Sequence, residues 1–206
     1  MSHLKQAYAF DIRFRVSDDH AAPEGVVILA REIDEGVVFD RRGLKVTAFK
    51  VDHAPVEPAF GYRVDHLGRS VVLSGDTRVS ENLVRYAQGV DVLIHEVAVP
   101  ESFRRSGTPA ARVESVTAHH VTPEQAAGIF ARTRPRLAVY SHIVRADATD
   151  QEILAPTMAK YPGPVRVAED LMVIEVGETI DVHRPRHEAN PAKADHDPLV
   201  RRHDDR

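Results

Sequence analysis

Val71-Val72-Leu73-Ser74-Gly75-Asp76-Thr77 and Asp91-Val92-Leu93-Ile94-His95-Glu96 are two apolar runs that end abruptly in ionisable residues. Each run predicts a fully buried strand that carries polar groups at its C-terminal edge. Two further apolar runs, Phe49 to His53 and Leu137 to His142, end in histidine. A core strand gains nothing from a carboxylate at its end unless a cation meets it there. The strand ends therefore predict a metal site at one edge of a sheet, with four candidate residues: His53, Asp76, His95 and His142.

Size and composition restrict the class of protein. The chain has 206 residues, of which 43% are hydrophobic, so it can bury a sizeable core and a single domain is the default expectation. The net charge of -4 argues against a general surface for binding polyanions. Because the chain has no cysteine, any metal must be held by imidazole and carboxylate groups.

The sequence contains no membrane-spanning signal. No stretch approaches the roughly 20 apolar residues that cross a bilayer, and the first residues contain no apolar signal core. The interpretation is a cytoplasmic chain without a membrane span, with export left open if the natural N-terminus lies upstream.

Alternation and turn residues predict a strand-rich first half. The predicted strands are, in chain order, Asp11–Val16, Val26–Ile33, Gly36–Asp40, Leu44–Val51, Gly61–Asp65 and Ser70–Leu73. The last two predict a hairpin whose loop is longer than the two-residue minimum.

After Asp76, helical spacing alternates with strands. The predicted helices are Ser80–Ala87, Thr122–Phe130 and Asp150–Lys160, and Thr122 with Gln125 predicts a capping box. The order of elements predicts an α/β sandwich layer within one domain over residues 1–184. Residues 185–206 are charged and aperiodic, and they predict a disordered polar tail.

Three of the strand-end residues are donor types that suit Zn(II), Mn(II) or Fe(II): His53, Asp76 and His142. A carboxylate such as Asp76 can bridge two metal ions, and paired ions are the usual means of hydrolysing phosphate esters. The alternative for each residue alone is a capped strand end or an ordinary polar contact.

His120 lies just before the predicted helix start at Thr122. A helix N-terminus disfavours an imidazolium, and a nearby carboxylate such as Glu96 would restore a pKa suited to proton transfer. His120 is therefore a candidate general acid supported by Glu96. The alternative is a plain N-terminal capping loop.

Five segments together resemble a known family. They are His53 with Pro58–Arg63, Ser74–Thr77, Asp91–Glu96, His120–Ala127 and Tyr140–His142, in this order. The pattern resembles the C-terminal half of a metallo-β-lactamase-fold hydrolase, in the branch of ribonuclease Z and the arylsulfatase-type enzymes. The resemblance implies part of an αββα sandwich and two zinc ions. In such a site His53 would bind the first ion, Asp76 would bridge and His142 would bind the second. His120 would be the proton donor, supported by Glu96.

The family signature His-x-His-x-Asp-His is absent from the sequence. The nearest candidate, Ser17–His20, has no preceding pair of histidines and follows no apolar strand. We therefore expect the C-terminal portion of the fold, truncated at its N-terminus. Asp76 with one histidine would give each ion two protein ligands, fewer than a catalytic zinc site has. The chain is then expected to bind metal weakly and to catalyse poorly or not at all. An uncovered sheet face and edge would favour association, including a homo-oligomer.

The stretch between His53 and Asp76 contains a hairpin and no basic, glycine-rich arm. Members that process transfer RNA usually carry an RNA-gripping arm there. The resemblance therefore favours an arylsulfatase-like or phosphodiesterase-like hydrolase of a small-molecule or phosphodiester substrate, with nucleic acid as the less favoured partner. Tyr62 is a candidate substrate-binding residue, and a place in the core is the alternative.

The predicted activity is metal-dependent hydrolysis of an ester, a phosphodiester or a sulfate ester. Three alternatives stay open at the level of sequence. The chain could be a transfer-RNA 3′-processing endoribonuclease of the ribonuclease Z type, a non-catalytic half-domain remnant, or a protein with a structural metal site.

Overall fold

The structure is a computed structural model that describes residues 2–184. The predicted tail, residues 185–206, lies outside the described residues. The chain packs as two compact units, of which the first ends at Asp34 and the second begins at Glu35. The single domain over residues 1–184 stays a prediction.

The first unit contains two short helices, α1 (Ser2–Ala7) and α2 (Ala9–Ser17), and a 3₁₀ turn at Pro23–Val26. The strand predicted over residues 11–16 is wrong, because these residues lie in α2. An isolated strand leaves its backbone N–H and C=O groups unpaired, whereas a helix pairs them internally. Arg15 also donates to Asp11 at 3.0 Å across one helical turn, a pairing that stabilises helices.

The strand predicted over residues 26–33 is also wrong. After the 3₁₀ turn this segment has no regular structure, and Leu29 is 90% exposed. A run of β-branched residues forms a strand only where a neighbouring strand pairs with its backbone. The described part of the first unit contains no strand that could do so.

The second unit is built on a seven-stranded sheet. Its strands lie side by side in chain order and are β1 (Gly36–Arg41), β2 (Leu44–Val51), β3 (Ala59–His66), β4 (Arg69–Leu73), β5 (Val92–Ala98), β6 (Leu137–Val144) and β7 (Val165–Val167). The first four pair antiparallel, and β4 to β7 pair parallel. A separate antiparallel hairpin consists of β8 (Val173–Val176) and β9 (Ile180–His183).

The hairpin of β3 and β4 is tighter than predicted. His66 pairs with Arg69, so the loop is only Leu67 and Gly68, with φ of 48° and 75°. Two central residues with positive φ match the right-handed twist of the flanking strands. The prediction of a longer loop is wrong because leucine seldom adopts positive φ, so nothing in its chemistry marks the turn.

Within the described residues, five helices accompany the sheet: α3 (Glu81–Tyr86), α4 (Pro100–Arg105), α5 (Ala110–Thr117), α6 (Pro123–Thr133) and α7 (Asp150–Met158). The predicted capping box at α6 is confirmed. Thr122 Oγ1 accepts the N–H of Gln125, and Oε1 of Gln125 accepts the N–H of Thr122. None of the described helices is long and apolar enough to cross a membrane.

Each face of the sheet has a different cover. One face packs against the helices in a core whose largest members include Phe49, Leu93, Phe130, Tyr140 and Ile153. The other face packs around Val92, Leu137 and Val139 against apolar residues of β8 and β9. The second unit therefore has a helical layer, the main sheet and a two-stranded layer, which confirms the predicted α/β class.

The prediction of two fully buried strands, one from each of the runs that begin at Val71 and Asp91, fits β5 better than β4. The first four residues of β6 and six of the seven residues of β5 are buried. In β4, burial alternates and Leu73 is 39% exposed. Leu73 lies on the same face as Val71, and β8 and β9 cover that face only in part.

Candidate metal centre

One edge of the sheet collects the C-terminal ends of four strands. β2 and β4 are each antiparallel to β3, while β4, β5 and β6 are parallel. β2, β4, β5 and β6 therefore run in the same direction. His53 follows the end of β2, Asp76 follows the end of β4, and His142 lies near the end of β6. This arrangement is the one that the apolar runs predict.

His53, Asp76 and His142 come together at this edge. Nε2 of His142 lies 3.3 Å from Oδ2 of Asp76, and Nε2 of His53 lies 3.9 Å from the same oxygen. Two donors bound about 2.0–2.1 Å from a tetrahedral metal ion lie about 3.3 Å apart. Across residues 2–184, no group of three or more His, Asp or Glu side chains is close enough to hold a metal ion as it stands. The donor types fit a divalent metal, and the His53 separation is wider than a closed site requires.

A backbone carbonyl orients the ring of His53. Nδ1 of His53 lies 3.0 Å from the carbonyl oxygen of His119. Because a carbonyl only accepts, Nδ1 carries a proton, and Nε2, which faces Asp76, is the ring nitrogen left to bind a metal ion. Metal-binding histidines usually have such a partner on the second ring nitrogen. Sequence reasoning missed His119, and no signal marks it, because any residue could supply the carbonyl.

A β-bulge sets the position of His142. The register of β5 and β6 shifts between His95 and Val97, so Ser141 and His142 of β6 together oppose Glu96. His142 has a positive φ of 45° and its side chain is 55% exposed. Bulges redirect side chains in this way beside functional sites. The prediction that β6 ends at His142 is wrong, because the strand continues for two more residues.

Glu96 and His120 form a buried pair beside these three residues. Nδ1 of His120 lies 3.0 Å from Oε2 of Glu96, and Oε1 of Glu96 accepts the N–H of Val121 at 2.9 Å. The side chain of Glu96 is 2% exposed. The ring centroid of His120 lies 5.4 Å from that of His53 and 5.7 Å from that of His142. The two candidates for proton transfer are thus in contact, and their catalytic roles stay a prediction.

Burial governs the protonation of this pair. It raises the pKa of Glu96 to about 8, and the negative charge of Asp76 adds to the rise. Burial also lowers the pKa of His120, an effect that the charge of Asp76 opposes. Both shifts disfavour separated charges, so burial favours a neutral pair in which the Glu96 carboxyl donates to Nδ1 of His120. Nε2 is then the ring nitrogen of His120 left for a substrate.

His95, the fourth strand-end candidate, does not join the centre. It lies on the same face of β5 as Leu93, under the helices, because side chains alternate along a strand. Its ring is fully buried against Phe130, with 6.1 Å between ring centroids. Its Nδ1–H donates to the carbonyl of Glu96 at 2.8 Å, and Nε2 has no hydrogen-bond partner among the described residues. The expectation that His95 contributes to a metal site is therefore wrong.

We expect His95 to make the protein less stable in acid. Burial lowers the pKa of His95 from 6.5 to about 4. As the pH falls from 6.5 towards 4, His95 takes up a proton in the unfolded chain but not in the folded chain. This difference lowers the free energy of unfolding by on the order of 3 kcal/mol. Because the raised pKa of Glu96 acts in the opposite direction over this range, the loss is measured as a difference between two proteins in urea unfolding at about pH 7.5 and about pH 4.5. The variant His95→Asn keeps a donor for the Glu96 carbonyl, and its stability relative to the wild type should rise as the pH falls from about 7.5 to about 4.5. The same change in stability with pH in the two proteins would contradict the assignment.

Two openings give access to this edge of the sheet. A cavity of about 170 Å³ is lined by Leu73, Asp76 and His142, among others. A second cleft, of about 430 Å³, is lined by residues that include Arg78 and His120. The candidate substrate residue Tyr62 lies in β3, half-buried and in register with Leu73. Its role stays a prediction.

Comparisons with known proteins agree with this architecture. The model of the beta-lactamase superfamily domain matches residues 7–143. Ribonuclease Z of Mycobacterium avium (strain 104) is 34% identical over 174 residues, which cover 82% of this chain and 61% of the relative. Ribonuclease Z of Mycolicibacterium gilvum (strain PYR-GCK) is 30% identical over 182 residues, and the chain spans about three fifths of the length of these two relatives.

Two solved structures share the fold. Zn(2+)-bound PqqB from Methylobacterium extorquens superposes with a TM-score of 0.53 at 21% identity, covering 80% of this chain and 58% of that one. The metallo-β-lactamase fold protein YhfI from Bacillus subtilis gives a TM-score of 0.51 at 18% identity, covering 64% and 49%. The chain therefore belongs to the beta-lactamase superfamily, with a metallo-β-lactamase fold, and lies in its ribonuclease Z-like branch.

Proposed function

We propose that the chain is a metal-dependent hydrolase of phosphodiester or related ester bonds, with low activity because Asp76 and one histidine would give each ion only two protein ligands. The observation that carries this proposal is the approach of two imidazole nitrogens to one carboxylate oxygen. Nε2 of His142 and Nε2 of His53 lie 3.3 and 3.9 Å from Oδ2 of Asp76. Membership of the ribonuclease Z-like branch supports the same reaction class.

His53, Asp76 and His142 are the residues that would hold metal. Imidazole nitrogen and carboxylate oxygen fit Zn(II) first, and also Mn(II) or Fe(II). Asp76 would be shared by two ions, with His53 on one side and His142 on the other. When bound, divalent ions stabilise charge developing on the ester and make water a better nucleophile.

His120 is the proposed proton donor to the leaving oxygen. Glu96 contacts Nδ1 of His120, which orients the ring and leaves Nε2 for the substrate. The cleft of about 430 Å³ that His120 lines provides room for a leaving group. Protonating the leaving oxygen as its bond breaks avoids the release of a strong base.

Among phosphodiesters, RNA is the candidate substrate that the names of the relatives support. The net charge of -4 argues against a broad RNA-binding surface. Relatives named ribonuclease Z are 30% and 34% identical to this chain. We therefore place a transfer-RNA precursor with a 3′ extension beside the small ester substrates as a second candidate. Cleavage of the RNA at one position would favour it, whereas hydrolysis of p-nitrophenyl sulfate would favour an arylsulfatase-like activity.

The test is hydrolysis of bis-p-nitrophenyl phosphate by metal-free protein, alone and with added zinc or manganese. We expect slow hydrolysis that requires metal. With a dinucleotide, whose leaving group is a strongly basic alkoxide, the rate should be about 100-fold or more lower in His120→Gln, since a general acid contributes about 10²–10⁴-fold. With bis-p-nitrophenyl phosphate the effect should be smaller, because p-nitrophenolate is a weak base. His66→Gln changes an exposed hairpin histidine and serves as the matched control.

Metal-independent hydrolysis, or equal rates of dinucleotide hydrolysis in the wild type and His120→Gln, would overturn the mechanism. Metal binding without hydrolysis of any of these substrates would instead support a structural metal site or a non-catalytic domain.

A further inference from the structure

The loops that carry His53 and Asp76 are joined to each other. The N–H of Arg78 donates to the carbonyl of Asp52 at 2.7 Å. The N–H of Asp52 donates to Oγ1 of Thr77 at 3.2 Å. Asp52 directly precedes His53, and Thr77 directly follows Asp76. These bonds therefore fix the backbone next to each candidate ligand.

A charge pair reinforces the same junction. Nη2 of Arg78 donates to Oδ1 of Asp52 at 2.6 Å, and the two side chains are 43% and 50% exposed. Pairs this exposed contribute little to global stability. Their contribution is local, because holding both loops by backbone and side chain restricts how far the loops can move apart.

The guanidinium of Arg78 is partly buried, which is unusual for a surface ion pair. Nε of Arg78 is buried and has no hydrogen-bond partner among the described residues. An unpaired buried donor costs free energy, so a freely solvated arginine would not adopt this position. The charge pair with Asp52 is a contact of this guanidinium that offsets the cost.

We propose that Asp52 and Arg78 are positioning residues that hold the His53 loop against the Asp76 loop. The pair thereby keeps the two side chains near the separation at which both can bind metal. This inference rests on the proposed function for its consequence, since the gain is in metal affinity. Neither Asp52 nor Arg78 supplies a proposed ligand, and neither takes part in proton transfer.

Two measurements on Asp52→Asn, Arg78→Ala and Arg78→Lys test the proposal. The first is amide hydrogen exchange at Arg78 and Asp52, and the second is zinc affinity from competition with a chromophoric chelator. We expect exchange at these amides to become about 10-fold faster in Asp52→Asn and Arg78→Ala. Zinc affinity should fall about 10-fold, the lower end of the range for residues that orient metal ligands.

The conservative variant and the double variant separate positioning from general loosening. Arg78→Lys keeps a cation and should recover part of both effects. The double variant Asp52→Asn with Arg78→Ala should be no worse than either single variant, because both remove the same contact. Arg132→Ala is the control. The Arg132 side chain is 46% exposed, similar to that of Arg78, and pairs with Glu81 near the C-terminal end of α6. Arg132→Ala should change neither measurement.

Unchanged exchange at Arg78 and Asp52 in both single variants would overturn the proposal. A fall in zinc affinity in Arg132→Ala as large as that in the Asp52 and Arg78 variants would also overturn it. A wild-type chain without zinc affinity would defeat the proposed function, and the exchange measurement would still decide whether the pair holds the loops.

Discussion

Replacing Gly75 with alanine is expected to destabilise the protein by at least about 2 kcal/mol and to disrupt the candidate metal centre. Gly75 has a φ of +61°, and a Cβ placed there would lie 2.4 Å from the backbone oxygen of Phe60. A backbone atom cannot rotate away, so the loop must shift. Asp76 is the next residue and would shift with it, so zinc affinity should fall together with the free energy of unfolding.

Gly89 provides the matched control for this substitution. Its φ is also +61°, but nothing lies within 4 Å of its Cβ position. Gly89→Ala should therefore show only the backbone cost of about 1–2 kcal/mol and unchanged zinc affinity. Urea unfolding and chelator competition measure both quantities. If Gly75→Ala behaves like Gly89→Ala, the close approach of Phe60 does not hold the Asp76 loop in place.

Asp76→Asn is expected to remove most of the zinc affinity. Changing a residue that only supports a metal ligand lowers the affinity about 10–100-fold, and loss of a ligand itself should lower it more. Asp76 contributes the one carboxylate oxygen that both His53 and His142 approach. An amide is nearly the same size but carries no charge, so the change removes the ligand and leaves the packing. Because the side chain is 39% exposed, stability without metal should change little.

Asp147→Asn is the control for Asp76→Asn. Asp147 is an exposed aspartate that pairs with Arg105 away from the centre. Isothermal titration with zinc should give the same affinity for Asp147→Asn as for the wild type. Retention of wild-type affinity in Asp76→Asn would exclude Asp76 as a ligand and, with it, the proposed bridging role.

The sequence predicts the frame of the candidate centre because that frame depends on regular elements. Apolar runs and turn residues place β2, β4, β5 and β6, and parallel topology then brings their C-terminal ends to one edge. The capping box at Thr122 places the loop that carries His120. The grouping of His53, Asp76 and His142 follows from these local signals.

The details that sequence reasoning missed depend on irregular backbone. The bulge at Ser141 and His142 inserts a residue into β6 and has no composition signal. The position of His95 at the end of an apolar run predicts a metal ligand. The direction of the His95 side chain depends on strand parity, which places it under the helices instead. The carbonyl of His119 and the loop contacts of Arg78 are likewise visible only in three dimensions.

The most direct test of a metal centre at His53, Asp76 and His142 is a zinc titration of the full chain followed by NMR of the imidazole nitrogens. We predict that Nε2 of His53 and Nε2 of His142 shift as bound nitrogens do, while the buried ring of His95 does not. Zinc shifts confined to other histidines, such as His187, His196 and His203 near the C-terminus, would contradict the account.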